Sequence, residues 1–271
     1  MATSINTNYG AAVALQNLNA TNAMLERTQN RVNTGLKVAT AKDSGAIFAI
    51  ATTQRANMGA MDAVKNSLQR GQSIVDVALA AGDTVTTALE EMKSLAVSIQ
   101  SSTGAAQTSY LDEFKAMGAE ITAALAGAAF DGVNLWTAAT PTNLIKDVAG
   151  GTTAIGFTAA GGKAADTDIT TITNQSIAAT AATVAAVDAA IAEVTASLST
   201  LGTQSKSVGR QLTFVGKLQD ATEAGIGNLV DADLAKESAK LTALQTKQQL
   251  GVQALSIANS SSQILLSLFR N

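Results

Sequence analysis

The chain of 271 residues contains no cysteine, no histidine and a single proline. Without cysteine it has no thiol nucleophile and no disulfide bond. Without histidine it lacks the usual general base at neutral pH and the commonest zinc ligand. Aromatic residues make up only 3% of the chain, although 46% of it is hydrophobic. These absences argue against an enzyme, so we expect no catalytic residues, no metal site and no cofactor.

Signals for nucleic acid, membrane and classical secretion are also missing. The net charge of −3 is too small to favour binding to nucleic acid or to a membrane surface. We see no run of 18 apolar residues and expect no membrane insertion. Residues 1–8 have no basic region followed by an apolar core, so they do not form a secretory signal peptide. An export route that reads other N-terminal sequences stays open.

Alanine is the most abundant residue. It has the highest helix propensity, and its small side chain lets helices approach closely. Because Pro141 is the only proline, most of the chain can form continuous helix. We therefore expect a mainly α fold, in which long antiparallel helices form coiled-coil terminal and core domains with a small β-hairpin region.

Two long heptad repeats lie inside the chain. One runs from Met61 to Ile99 without a slip, and the other runs from Val184 to Val215. Gly71 and Gly82 fall in the first seam, where they either cost stability or admit a close neighbour.

A segment of different composition separates these repeats. Residues 137–176 are rich in threonine, alanine and glycine. Two runs within it, residues 153–158 and 168–173, alternate in polarity and predict short strands in one or two hairpins.

The N-terminal end also predicts a helix with a heptad seam. Asn22 and Gln29 fall in this seam, so they either face solvent after a slight rotation of the helix or are buried and fix its register. The seam positions are Ala11, Leu15, Leu18, Asn22, Leu25, Gln29, Val32 and Leu36.

The C-terminal segment, residues 228–270, has apolar residues on more than one side. Asn228 or Asp231 is the candidate N-cap, and Glu237 lies between two lysines on a face that we expect to be solvated. A monomer's surface helix needs one apolar stripe, so a second stripe predicts contact with other subunits. The first seam is Leu241, Leu244, Gly251, Leu255, Ala258, Leu265 and Phe269, and the second is Leu250, Ala254, Ile257, Ile264 and Leu268.

Motifs along almost the whole chain resemble those of bacterial flagellins. Near the start they are Ser-Ile-Asn-Thr-Asn at 4–8, Arg-Val-Asn-Thr-Gly-Leu-Lys-Val at 31–38 and Ala-Lys-Asp at 41–43. The run from Phe130 to Leu135 is similar to the Phe-Asn-Gly-x-x-Leu turn of that family, with Asp131 in the Asn place. Near the end they are Asp-Ala-Asp-Leu-Ala-Lys-Glu at 231–237, Gln-Gln-Leu-Gly at 248–251 and Leu-Ser-Leu-Phe-Arg at 266–270.

The resemblance implies a flagellin, a structural subunit that polymerises into the extracellular bacterial flagellar filament used for swimming. It implies other flagellin subunits, an export chaperone, the flagellar type III export apparatus, the filament cap and hook-associated proteins as partners. Residues 137–176 are all that separates the two pairs of helices, so this is a short flagellin without large outer domains. Two alternatives stay open: a hook–filament junction protein of the same family, and a cytosolic helical scaffold.

The resemblance also implies a domain division. Residues 1–44 and 228–271 would form a terminal coiled-coil inner domain, and residues 45–227 a helical core domain. Since the ends have little neighbouring surface in one subunit, we expect residues 1–40 and 230–271 to be disordered in the free monomer. We expect interhelix or intersubunit packing, rather than ligand binding, from Leu15, Leu18, Leu25, Val32, Leu36, Leu255, Leu265 and Leu268.

A possible immune epitope departs from the family pattern. Flagellins sensed by the animal innate immune receptor carry a Leu-Gln-Arg run on the second long helix, and the matching positions here are Leu89, Glu90 and Glu91, followed by Leu95. Glu120 lies in a similar Ala-Glu-Ile-Thr context. The alternative is that the two adjacent glutamates form only a solvated helix face.

We expect receptor-expressing reporter cells to respond weakly or not at all to this chain. Glu91 stands where arginine is expected, which reverses the charge and removes a bidentate hydrogen-bond donor. The measurement is the reporter response relative to that of a standard activating flagellin. A response of equal strength would contradict the prediction.

Overall fold

The computed structural model describes residues 8–158 and 162–268, with residues 261–268 described by their backbone alone. As expected, this part of the chain is mainly helical. Its helices are α1 (Tyr9–Thr34), α2 (Gly45–Ser101), α3 (Ala105–Gly127), α4 (Thr167–Thr173), α5 (Val184–Val230) and α6 (Leu234–Leu268). Its strands are β1 (Ala129–Phe130), β2 (Val133–Asn134), β3 (Thr142–Ile145) and β4 (Thr152–Ile155), and a 3-10 turn spans Lys163–Ala165.

The chain forms two compact units. Unit 1 comprises residues 1–56 and 222–271, and unit 2 comprises residues 57–221. Among its described residues, unit 1 has a small set of buried apolar side chains, which are Val38, Ala51, Ile226, Val230 and Leu244. The inner and core domains implied by the resemblance concern layers of a polymer, and that division stays a prediction.

The main core lies in unit 2 and follows the predicted heptads. Every heptad position of α2 from Met61 to Ile99 is buried. On α5, the buried residues Val187, Val194, Leu201, Val208 and Val215 belong to the same core. The spacing of seven residues keeps these side chains on one side of each helix, so the two long repeats are confirmed as core-facing seams.

The two glycines of the α2 seam admit close neighbours. A Cβ at Gly71 would lie 2.0 Å from Leu144 Cδ1 of β3, and a Cβ at Gly82 would lie 2.4 Å from Leu198 Cδ2 of α5. Neither gap has room for a methyl group. Of the two sequence interpretations, close packing is therefore the correct one.

A tight hairpin follows α3 and is fastened by Asn134. Asp131 and Gly132 both have positive φ, 50° and 75°, as the two central residues of a type I′ turn require. The Asn134 side-chain amide donates to the carbonyl oxygens of Leu125 and Ala126, at 2.8 and 3.0 Å. These carbonyls have no partner within the helix, so Asn134 caps the end of α3.

The segment 137–176 contains one β-hairpin and one short helix. β3 and β4 pair antiparallel, with Thr142 opposite Ile155, so the prediction of a strand in 153–158 is confirmed. The prediction of a strand in 168–173 is wrong, because these residues form α4. Ile169 and Ile172 are three residues apart and both buried, which is a helical spacing rather than an alternating one.

In the described part of the chain, α5 is long and apolar enough by composition to cross a membrane. The sequence analysis predicted no segment of this kind, and that prediction is revised for α5. Its buried residues, such as Val194 and Leu201, belong to the core of unit 2, and Lys206 and Arg210 are exposed. We interpret α5 as a core helix of the bundle.

Replacing Gly82 by alanine should lower the free energy of unfolding by about 1–3 kcal/mol, because the added methyl group overpacks the core against Leu198 and Trp136. Chemical denaturation of the monomer measures this loss. Gly59→Ala on the same helix is the matched control, because a Cβ there would meet no atom within 4 Å. The control should stabilise by about 0.5–1 kcal/mol through helix propensity. A Gly82→Ala protein as stable as the control would contradict this interpretation.

Candidate assembly surface

The terminal helices α1 and α6 pair antiparallel within unit 1. At one end of the pair, Asn8 Nδ2 donates to the Ala258 carbonyl oxygen at 2.8 Å, and Asn8 Oδ1 caps α1 by accepting from Ala11 N at 3.0 Å. At the other end, Arg31 Nη1 donates to Glu237 Oε1 at 3.1 Å. The two helices are therefore held together along most of α1.

Both helices use a regular heptad seam in this pairing. The first seam proposed for α6 is confirmed as far as Ala258. The seam side chains, which are buried or half-buried, are Ala11, Ala14, Leu18, Thr21, Leu25, Thr28 and Val32 on α1, and Glu237, Leu241, Leu244, Gln248, Gly251, Leu255 and Ala258 on α6.

The seam predicted for α1 is wrong at every second position. The structure uses Ala14, Thr21 and Thr28 where the sequence interpretation used Leu15, Asn22 and Gln29, each one residue later. Small side chains at these positions let α6 approach closely, as at Gly251, where a Cβ would lie 3.3 Å from Leu18 Cδ1. At the first of these positions the smaller Ala14, rather than the more hydrophobic Leu15, lies in the seam.

The polar residues Asn22 and Gln29 are exposed, so the solvent-facing alternative is correct for both. Asn22 still contacts α6 from the rim of the seam, because its Oδ1 accepts from Gln248 Nε2 at 2.8 Å. Leu15 is 48% exposed and faces away from the helix pair. A leucine in that position is available for a contact outside the single chain.

Glu237 does not lie on a solvated face as expected. Only 12% of its side chain is exposed, and 23% of the Arg31 side chain. A half-buried ion pair of this kind fixes the register of two helices, because removing one partner leaves the other charge desolvated. No local sequence pattern predicts this pair, since the two residues are 206 positions apart.

The turns at the ends of α1 and α5 are joined by backbone hydrogen bonds. Gly35 ends α1 with a φ of 70°, and its carbonyl oxygen accepts from Ala232 N at 2.8 Å. Lys37 N donates to the Val230 carbonyl oxygen at 2.6 Å. These bonds surround an isolated antiparallel bridge between Leu36 and Asp231.

The predicted start of the C-terminal helix is wrong. Asn228 lies within α5, which runs to Val230, and Asp231 is in the bridge. The helix begins at Leu234, where Asp233 Oδ1 accepts from Lys236 N at 3.1 Å and caps it.

The outer side of α6 carries a second stripe that none of the described residues of unit 1 covers. Leu250 is 59% exposed and Ile257 is 69% exposed. Ala239, Ala243 and Thr246 continue the stripe toward the start of α6 and are exposed. These five residues recur at steps of three, four and seven, so they share one side of the helix, nearly opposite the seam. We name them the α6 outer stripe.

The outer side of α1 also carries large apolar side chains that are exposed. Tyr9, Val13 and Met24 are 79%, 37% and 55% exposed. They lie at steps of four and eleven residues, which places them on one side of the helix. We name them the α1 outer stripe.

The packing residues proposed from the sequence divide into three groups. Those that pack or half-pack within unit 1 are Leu18, Leu25, Val32, Leu36 and Leu255. Leu15 faces outward. The side chains of Leu265 and Leu268 lie outside the described residues.

The residues proposed as an altered immune epitope lie in unit 2. Leu89 is buried in the core and Leu95 is half-buried against it. Glu90 and Glu91 of α2 and Glu120 of α3 are exposed. The glutamates therefore present negative charge to solvent.

A groove of about 470 Å³ lies in unit 1 beside the end of α1 and contains charges of both signs. Asp43, in its wall, accepts from Thr40 N and Ala39 N at 3.1 and 3.2 Å. Chiefly because Thr40 N donates to this carboxylate, the pKa of Asp43 lies below its usual value. Residues 8–158 and 162–268 contain no group of three or more acidic side chains placed to hold a metal ion. The hydrogen bonds of Asp43 stabilise the turn that forms this wall of the groove.

Comparison with known proteins gives consistent matches. Residues 5–140 match the family model described as the bacterial flagellin N-terminal helical region, and residues 184–269 match the bacterial flagellin C-terminal helical region. The chain is 52% identical over 270 residues to flagellin FljM of Caulobacter vibrioides, and 51% identical over 273 residues to flagellin FljK of the same organism; each alignment covers 98% of both chains. A flagellin of Brucella melitensis is 39% identical over 279 residues, covering 98% of this chain and 99% of that one.

Proposed function

The chain belongs to the bacterial flagellin family and is a structural subunit of the extracellular flagellar filament, and from this premise we propose that its terminal helices form the inner layer of that filament. It polymerises with other flagellin subunits. Full-length relatives named flagellins favour this function over a hook–filament junction protein or a cytosolic scaffold.

The observation that carries the proposal is the pair of bare outer stripes on α1 and α6. The seam between the helices covers only one side of each, while Leu250 and Ile257 stay largely in water. Each fully buried aliphatic side chain of this size contributes about 1.5–3 kcal/mol. Neighbouring subunits that cover the α6 outer stripe would therefore stabilise the polymer at every repeat.

The proposed layers follow from how many large apolar side chains each unit buries within one chain. Unit 2 has a large buried core of its own, which includes Leu68, Phe114 and Trp136. Unit 1 buries few large side chains. We therefore assign residues 1–44 and 228–271 to the inner layer, and residues 45–227, which contain the whole of unit 2, to a core layer.

The remaining partners follow from family membership alone. A subunit that polymerises outside the cell needs the flagellar type III export apparatus, an export chaperone, a filament cap and hook-associated proteins. The absence of cysteine and the single proline suit passage as an unfolded chain, since neither a disulfide nor slow isomerisation at several X-Pro bonds delays it. The polymer needs no catalysis and no cofactor.

The exposed glutamates of unit 2 support an altered immune epitope. Glu90 and Glu91 present negative charge on α2, and Glu120 adds another on α3. A receptor surface that recognises an arginine at this place would meet like charge instead.

Replacing Leu250 and Ile257 together by serine should raise the critical concentration for polymerisation by at least about tenfold, because the loss of about 1.4 kcal/mol changes an equilibrium constant tenfold. Unfolding of the monomer core should not change, because both side chains are exposed in unit 1. Sedimentation of filaments from seeded monomer measures the critical concentration.

The control is Val252→Ser, which removes apolar surface from the same helix at a side chain that is 53% exposed and lies off the α6 outer stripe. Its effect should be smaller. A double serine variant that polymerises at the wild-type critical concentration would refute the proposed contact.

A further inference from the structure

The outward side of α2 in unit 2 carries a stripe of negative charge. Asp76, Asp83 and Glu90 are exposed and recur every seven residues, so they share one side of the helix, away from the buried seam. Between Gly71 and Met92 this helix contains no lysine or arginine. We name these three residues the acidic stripe.

The outward side of α5 carries the opposite charge. Lys206, Arg210 and Lys217 are exposed and lie at steps of four and seven residues. Between Val194 and Gln219 this helix contains no aspartate or glutamate. The ion pairs of the described residues involve other cations, namely Arg31, Arg70, Lys93 and Lys163. We name Lys206, Arg210 and Lys217 the basic stripe.

The two stripes lie at different heights in one chain. Gln72 Nε2 donates to Ser205 Oγ at 2.6 Å, and Gln219 Nε2 donates to Asp62 Oδ1 at 2.9 Å. Since α2 and α5 are antiparallel, the basic stripe lies level with residues 62–72 of α2. The acidic stripe begins beyond that level, at Asp76. Neither stripe is neutralised by the other within the subunit.

We propose that the basic stripe of one subunit docks on the acidic stripe of a laterally neighbouring subunit. In an antiparallel arrangement, Lys217 faces Asp76 and Arg210 faces Asp83 in the same register, and Lys206 comes within one helical turn of Glu90. The partner is a second copy of this chain, and the complementary charge is what selects it.

The symmetry of a helical polymer is compatible with this contact between the two stripes. Copies related by one repeated screw operation point the same way along the screw axis, so with α2 and α5 aligned to that axis, α5 of one copy runs antiparallel to α2 of the next. The contact joins two different surfaces, and such a heterologous contact can repeat without closing into a dimer. An open filament therefore uses both stripes of every subunit.

The register predicts a stagger between lateral neighbours. Lys217 lies two residues before Gln219, and so near residue 64 of α2 in its own chain. To face Asp76 of the neighbour, it must be displaced along the axis by roughly 12 to 16 residues, or about 20 Å at 1.5 Å per residue. The stripes thus fix the axial offset, while the apolar stripes of unit 1 supply burial.

This inference rests on the polymerising function, which the wild-type chain tests separately by forming filaments in the same buffer. The first test is charge reversal at low ionic strength. Arg210→Glu and Asp83→Arg should each raise the critical concentration by about tenfold or more, because each creates a like-charge contact. Combining them in one chain should restore most of the loss, since every contact then regains opposite charges.

Lys146→Glu is the charge-matched control, an exposed lysine of unit 2 on the β3–β4 connection. It should polymerise within about twofold of wild type, which corresponds to a small fraction of the tenfold effect. Single reversals that polymerise like this control, or a combined variant no better than the worse single, would overturn the proposal.

Cross-linking gives a second test that tolerates partial loss of assembly. The chain has no cysteine, so Lys217→Cys with Asp76→Cys introduces the only two thiols. A short bismaleimide should link subunits into a ladder in filaments but not in dilute monomer. Lys217→Cys with Glu90→Cys is the control, since Glu90 lies about 21 Å further along α2 at 1.5 Å per residue. Filaments that give no ladder from the Asp76 pair, or as strong a ladder from the control pair, would overturn the register.

Discussion

The antiparallel seam between α1 and α6 is the contact on which the rest of the structure depends. It joins residues as far apart in sequence as Asn8 and Ala258, and it uses one side of each helix. The other sides carry the apolar outer stripes. Ordering a helix costs conformational entropy that its buried surface must offset, and in one chain this shared seam provides that burial. In the filament that we propose, neighbouring subunits complete the burial, which ties folding of the chain ends to assembly.

Unit 2 differs from unit 1, because it buries a large apolar core within one chain. Aliphatic side chains pack directly against glycines in this core, so it needs few aromatic residues. Leu144 of β3 fills the space above Gly71, and Leu198 and Trp136 fill the space above Gly82. Its outward faces carry the charged stripes of α2 and α5 together with exposed apolar side chains such as Phe214, which is 65% exposed. The surface that unit 2 leaves for partners is therefore both polar and apolar.

The fold could be predicted from the sequence wherever large apolar residues recur at heptad spacing. The α2 seam from Met61 to Ile99 is the best case. Prediction failed in α1, because a seam extended from Leu15 at heptad spacing falls on Asn22 and Gln29, whereas the contact positions are Ala14, Thr21 and Thr28. It failed again at Glu237, whose partner Arg31 is distant in sequence. Close packing and long-range pairing depend on tertiary contacts, which local patterns do not encode.

Amide hydrogen exchange on monomer and filament tests most directly whether assembly orders the chain ends. If neighbours are needed, amides in α1 and α6 should exchange rapidly in the monomer and become strongly protected in the filament. Amides in the core segments of α2 and α5 should be protected in both. Strong protection of α1 and α6 in the free monomer would contradict the coupling of terminal-helix order to polymerisation.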